Sequence, residues 1–249
     1  MSLKSQNPLL TVFIPAYNEE KNLKTCTDAL LRQFAEYEID FEVVIVNDGS
    51  TDGTGTLAEQ ISASHSNIRV VHHKKNLGIG GAFRTAVSEA SGEWLILIPA
   101  DLALEPSELR HYLQAATNAD VVVGLRSDRS DYTLARQIIS NVNIALIRLL
   151  FGMKERQFQY ISMYRTAVLH NMEIEYWHSA FFLAEILIKA RDMGKRLVEV
   201  EIKYVPRING QATGAKFKLV MLTILDLFLF WFRWIGRKAR RTPQLNGQN

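Results

Sequence analysis

Asp48 and Asp101 each stand just beyond an apolar run, Phe41–Val46 in one case and Trp94–Ile98 in the other. A carboxylate at the end of a strand can accept hydrogen bonds from a base or a ribose. Gly49 permits a tight turn and close backbone approach beside Asp48, and Ser50 or Thr51 can cap the helix that follows. Asp101 suits a different task, holding Mg2+ or Mn2+ against a diphosphate. Such an ion keeps water and substrate oxygens among its ligands, so one or two carboxylates suffice, and it neutralises charge on a departing group. Tyr17 and Glu19 occupy the loop after a third apolar run, Leu10–Ile14, which Pro15 stops. Arg126, Arg136 and Arg207 flank the same region, and guanidinium groups grip phosphate through paired N–H donors. Each has a simpler alternative: an Asx turn for Asp48, a helix-start acid for Glu19 and Asp101, ordinary surface charge for the arginines.

The elements that would position these residues alternate in the first half of the chain. Strands are expected at Leu10–Ile14, Phe41–Val46, Ile68–His72, Trp94–Ile98 and Val121–Val123. Helices are expected at Glu19–Phe34 with Asn18 as N-cap, and at Thr51–Ser64, Ile79–Ala90 and Ser107–Ala116. That rhythm implies an α/β fold, a mostly parallel sheet with helices on both faces, whose ligands sit at the carboxyl edge of the strands. The second half holds a long helix at Thr133–Gly152, a strand at Tyr160–Tyr164, a helix at Phe181–Met193, a strand-like stretch at Leu197–Val205 and a final helix at Lys216–Arg241. The expected division is one domain over 1–215 with a basic, amphipathic C-terminal appendage over 216–249.

Composition narrows the possibilities. A single cysteine, Cys26, excludes an intramolecular disulfide and a multi-cysteine zinc site. The phrase Asn76-Leu-Gly-Ile-Gly-Gly-Ala82 fails the dinucleotide fingerprint, because Phe83 takes the third glycine position, and no Walker phosphate loop is present. The net charge of +3 is concentrated at the end: residues 216–249 hold seven basic groups and one acid, leaving −3 for the rest. Leu219–Phe232 is apolar apart from Thr223 and Asp226, and Arg233, Trp234, Arg237, Lys238, Arg240 and Arg241 follow. The run is shorter than the roughly 20 residues a bilayer span needs, and fits a helix lying in the interface with aromatic and basic anchors. Ile138–Phe151 offers a second apolar surface. The polar start, Met1–Pro8, lacks a signal-peptide core, so a cytoplasmic protein, peripheral on the inner face of the membrane, is expected. No nucleic-acid partner is expected.

The ordered phrases resemble the dolichol-phosphate mannose synthase group of family-2 glycosyltransferases: Ile14-Pro-Ala-Tyr-Asn-Glu-Glu20, Val44-Ile-Val-Asn-Asp-Gly-Ser-Thr-Asp-Gly-Thr54, Asn76–Ala82, Ala100-Asp-Leu102, Glu199-Val-Glu-Ile202 and Arg207-Ile-Asn-Gly210. The resemblance implies a GT-A fold. It also implies a nucleotide-sugar site in which Pro15, Tyr17 and Glu19, with Val46 and Asp48 beside them, line base and ribose. Ala100 and Asp101 would lie at the diphosphate and metal, Asp101 as the catalytic residue and metal ligand. Arg126, Arg136 and Arg207 would contact donor or acceptor phosphates. The implied reaction is inverting transfer of a sugar from a UDP- or GDP-sugar to a polyprenyl phosphate.

Several positions depart from the family pattern. Pro99 replaces the first acid of D-x-D, Ala103 replaces a common Gln, and Asn47 replaces the first acid of D-D-G-S. Arg156–Ser162 replaces the usual acceptor-region phrase. Two other readings therefore stand beside the first: a soluble glycosyltransferase acting on a glycan or another acceptor, and a degenerate, non-catalytic nucleotide-sugar-binding protein.

Overall fold

Two apolar runs form the centre of the sheet. β1 (Leu10–Ala16) and β2 (Phe41–Asn47) pair in parallel, from Leu10 opposite Phe41 to Ala16 opposite Asn47. Neither alternates polar with apolar residues, because helices cover both faces. The computed structural model describes residues 9–128, 132–203 and 217–241, the side chains of 217 and 238–241 excepted. Arg207 and its surrounding loop lie outside the described residues.

β3 (Ile68–His72) continues the sheet beyond β2, and β4 (Trp94–Leu97) lies on the other side of β1, all in parallel. β6 (Ser162–Arg165) runs antiparallel between β4 and β5 (Val121–Arg126), and β7 (Leu197–Ile202) pairs in parallel with β5 at the far edge. The order is β3-β2-β1-β4-β6-β5-β7. β6 alone reverses, so the carboxyl ends of the other strands share one rim.

Alternate residues of each strand feed two cores. Leu10, Val12, Ile14, Val43 and Ile45 pack with α1 (Leu23–Tyr37), α2 (Thr54–Ser64) and α4 (Leu109–Ala116). Phe13, Val44, Val46 and Leu95 face α3 (Gly78–Glu89), α5 (Leu134–Phe151), α6 (Thr166–His170), α7 (Phe182–Asp192) and α8 (Phe217–Arg241). The layered architecture matches the expectation, with local differences. α1 starts at Leu23 rather than Glu19, because Asn18 adopts a left-handed conformation (φ 57) and the next residues form a turn in which Asn22 N–H bonds the Glu19 carbonyl. β5 runs on to Arg126, which carries that arginine to the rim. α6 was not expected; it is a single short turn that propensity does not single out.

α8 is packed into the domain along one side. Leu227 and Phe230 are buried in the second core, each contributing roughly 1.5–3 kcal/mol by leaving water. The indole N–H groups of Trp231 and Trp234 turn inward, to the Leu150 carbonyl at 3.1 Å and Asp192 Oδ2 at 2.5 Å. Arg233 and Arg237 pair with Glu175, each at 3.2 Å. Arg233 and Arg237 keep more than half of their side chains exposed while paired in this way. The opposite side exposes Met221, Leu225, Leu229, Phe232 and Ile235.

Candidate active site

Asp48 lies one residue past β2 and is 4% exposed. Its Oδ1 accepts from His73 Nδ1 at 2.7 Å and from Leu77 N–H at 2.8 Å, while Oδ2 accepts from Gly78 N–H at 2.8 Å. The last two donors open α3, so the carboxylate neutralises that helix start. His73 is itself fixed by Thr85 Oγ1 at 2.9 Å from Nε2. A carboxylate facing Nδ1 requires a proton there, so in the neutral ring Nε2 accepts from the Thr85 hydroxyl. What remains of Asp48 for a ligand is one lone pair on Oδ2. Asn47, its neighbour, bonds His72 Nδ1 at 2.9 Å, and His72 Nε2 meets Glu59 at 2.7 Å.

Gly49 adopts φ +69, and a Cβ there would stand 2.5 Å from the Lys75 carbonyl carbon. Only glycine allows the β2 and β3 loops to touch at this point. Beside it, Asn18 Oδ1 accepts from Thr51 N–H at 2.9 Å, and Ser50 Oγ accepts from Asn18 N–H at 3.0 Å. Thr54 Oγ1 accepts from Glu19 N–H at 2.8 Å and donates to Asp52 at 2.5 Å. The β1 and β2 loops are thereby laced into one wall. Tyr17 projects from it, 47% exposed, with Pro15 and Glu19 half-buried. Val46 is fully buried in the second core and forms floor beneath the loop.

Asp101 lies past β4, the neighbour of β1. Its Oδ1 accepts from Ala103 N–H at 3.2 Å, and Leu102 between them is left-handed at φ 52. A branched residue in that region costs about 1 kcal/mol or more, and such strain gathers at functional sites. Ala100 is buried beside it. The Cys26 thiol donates to the Pro99 carbonyl at 3.7 Å. Burial pushes this thiol up to about 12, and the nearby carboxylates of Asp101 and then Glu19 push the same way. Among the described residues no three His, Cys, Asp or Glu gather as a metal cluster. A divalent ion here would take Asp101 and complete its shell with substrate oxygens and water, a pattern Mg2+ accepts.

Arg126 ends β5 on the same rim, 7% exposed, with its N–H and carbonyl clamped by Gln157 at 3.1 Å each. Tyr132 gathers two cations: Arg126 lies 4.8 Å and Arg136 4.0 Å from its ring centre. Tyr17, Asp48 and Asp101 thus follow β1, β2 and β4, and Arg126 ends β5, at one edge of the sheet, while Arg136 in the first turn of α5 shares the Tyr132 ring with Arg126. Sequence reasoning missed His73, although the His72-His73 pair directly after β3 marked the spot. It also missed Tyr132 as the platform for both arginines, for which no sequence signal exists.

Of the glycines in Asn76–Ala82, Gly78 serves the turn, left-handed at φ +77 with open space beside it, while Gly80 and Gly81 serve packing. The Trp177 carbonyl occupies the space that a Cβ on Gly80 would need, and the Trp177 ring lies 3.5 Å from the Cβ position of Gly81. Arg84 covers the outer face of that ring at 5.1 Å.

The sequence model of glycosyl transferase family 2 matches residues 11–189. An undecaprenyl-phosphate mannosyltransferase of Micrococcus luteus is 28% identical over 244 residues, covering 93% of this chain and 98% of that one. An undecaprenyl-phosphate 4-deoxy-4-formamido-L-arabinose transferase of Proteus mirabilis is 25% identical over 215 residues; the match covers 86% of this chain but only 65% of that relative's length. Among solved structures, glucosyl-3-phosphoglycerate synthase of Mycobacterium tuberculosis, in complex with Mn2+, UDP and phosphoglyceric acid, superposes with a TM-score of 0.67 at 18% identity, over 88% of this chain and 78% of that one. The shared fold is GT-A-like.

Proposed function

The chain belongs to glycosyl transferase family 2, and from that premise we propose that it moves a sugar from a UDP- or GDP-sugar to a polyprenyl phosphate at a membrane surface, with inversion. The observation that carries this reading is the single rim at the ends of β2, β1, β4 and β5. Asp48 and Asp101 follow β2 and β4 there, Arg126 ends β5, and Arg136 shares the Tyr132 ring with it, which supports a base-side carboxylate, a diphosphate-side carboxylate and an arginine pair. The named activities of the Micrococcus and Proteus relatives support the acceptor class.

In this reading Tyr17, Pro15 and Glu19 flank the base and ribose above the floor formed by Val46, and the remaining Asp48 lone pair takes one donor N–H or O–H. Ala100 and Asp101 face the diphosphate, where Asp101 would hold Mg2+ or Mn2+; the ion, when bound, supplies positive charge to the leaving group. Arg126 and Arg136, together with Arg207, receive phosphate. The acceptor phosphate is anionic near neutral pH. Its oxygen attacks the anomeric carbon as the bond from that carbon to the diphosphate oxygen breaks, releasing the nucleoside diphosphate. No strong general base is needed, and positioning carries most of the rate.

The membrane reading is supported by two helices long and apolar enough to cross a bilayer by length and composition, Leu134–Phe151 and Lys218–Arg237. α8 faces outward on one side only, and α5 exposes Leu134, Ile138, Val142 and Leu149 at helical spacing. One-sided apolar exposure suits a helix lying in the interface better than one crossing it. A cytoplasmic, inner-face location goes with this reading. Pro99, in place of the first D-x-D acid, favours a non-catalytic nucleotide-sugar binder as the second reading.

The test is a panel of UDP- and GDP-sugars screened by thermal shift with and without Mn2+, alongside co-sedimentation with anionic vesicles. Stabilisation by one nucleotide family, together with vesicle binding that weakens in Phe232→Ser, supports the proposal. A flat panel refutes the donor site, and purely soluble behaviour refutes the membrane surface.

A further inference from the structure

We infer that the strap Glu175–His178 is a positioning element for the donor site, held in place by α8 through the His178–Asp226 pair; the inference rests on the donor site proposed above. On one side the strap bears on the first turn of α3. The Trp177 carbonyl fills the space beside Gly80, and any side chain there would meet backbone rather than a yielding side chain. The same turn of chain presents Leu77 N–H and Gly78 N–H to Asp48. Displacing Trp177 therefore shifts the two donors that fix the carboxylate expected to receive the base.

On its other side the strap is tied to the helices behind it. Glu185 of α7, fully buried, accepts from Glu175 N–H at 2.8 Å and Tyr176 N–H at 2.9 Å. Arg233 and Arg237 of α8 reach the Glu175 carboxylate. Asp226 of α8 is 3% exposed, and its Oδ2 has no hydrogen-bond partner among the described residues; His178 Nε2 faces it at 3.3 Å. A carboxylate buried in the middle of an apolar helix stabilises little by itself, because desolvation offsets the attraction of its partner. Its effect is geometric: His178 Nε2 stands opposite the buried oxygen, which sets the strap against one turn of α8. Contact thus runs without a gap from α8 through the strap and the glycines of α3 to Asp48.

The test uses the full chain with UDP and GDP as probes, binding measured by calorimetry and folding by thermal melting. Asp226→Asn and His178→Gln should each weaken binding of the preferred nucleotide about tenfold, within the range of coupling between sites. The double variant should be no weaker than the worse single one, since both remove the same contact. Gly80→Ala, which leaves the α8 contacts in place and puts a Cβ where the Trp177 carbonyl stands, should weaken nucleotide binding similarly. This keeps the inference testable if Asp226 variants fail to fold. Affinities within twofold of wild type in Gly80→Ala, or losses that multiply in the double variant, overturn the inference while leaving the donor site standing. A wild-type chain that binds neither nucleotide removes the donor site and the inference with it.

Discussion

Replacing Asp48 with Asn should destabilise the fold by about 4 kcal/mol, although the change is nearly isosteric. The carboxylate accepts three N–H donors in a site that is 4% exposed. An amide can keep the two bonds on one oxygen, from His73 and Leu77, but then turns its own NH2 toward Gly78 N–H. A buried donor left without an acceptor costs about 2 kcal/mol, and the two surviving bonds lose about 1 kcal/mol each when the charge goes. Removing the anion from the α3 start costs about 0.5 kcal/mol more. In a chain of this size each kcal/mol moves the melting temperature by roughly 2–4 °C, so a fall of about 10 °C is expected. Circular dichroism melts, with urea titrations to confirm an unchanged m-value, measure it. A fall under 2 °C would mean that Asp48 is not the acceptor that fixes this helix start, and the geometry derived for the base side would be wrong.

Other substitutions probe neighbouring parts of the argument. Gly49→Ala meets both a left-handed backbone and the Lys75 backbone at 2.5 Å, so it should lose more than roughly 2 kcal/mol in the same melts. The Cys26 thiol, pushed up from 9.0 to about 12 chiefly by burial, should react with a disulfide reagent at pH 8 roughly a thousandfold more slowly in the folded than in the unfolded chain; rapid labelling of native protein would contradict its placement. Acid stability should follow Glu42 and Glu175. Burial alone would raise both, but bonds from Thr11 and Ser91 with the Arg69 charge hold Glu42 down, and Lys189 and Arg237 hold Glu175 down. A depressed folded pKa gives stability that is complete above the ordinary value of 4.5 and fades as pH falls through the lower one. Glu42→Gln should therefore flatten the loss of stability below pH 4.5, and an unchanged acid profile would refute the assignment.

The sheet was legible because β1 and β2 are apolar at nearly every position, which only a doubly covered strand requires. Asp48 and Asp101 could be placed on its rim because each follows such a run. The antiparallel insertion of β6 was not legible, since Ser162–Arg165 is too short for its pattern to show direction. The occupation of Asp48 by α3 also escaped, because Leu77 and Gly78 act through backbone N–H groups, which carry no residue signature. The pairing of Arg233 and Arg237 depends on Glu175, more than fifty positions away, a partner that only packing reveals. Glycines 80 and 81 were visible as a phrase, but the Trp177 backbone against Gly80 and the Leu77 side chain against Gly81 were not.

Transfer of radiolabelled sugar from UDP- and GDP-sugars into undecaprenyl phosphate in vesicles tests the account most directly, with wild type and Asp101→Asn compared at matched melting temperature. One donor should place label in the lipid phase, and the variant should lose at least about a hundredfold in rate, the scale expected when charge stabilisation at a leaving group is removed. A lipid phase without label from any donor, or a variant as fast as wild type, would contradict a sugar-diphosphate site with Asp101 at its charged end.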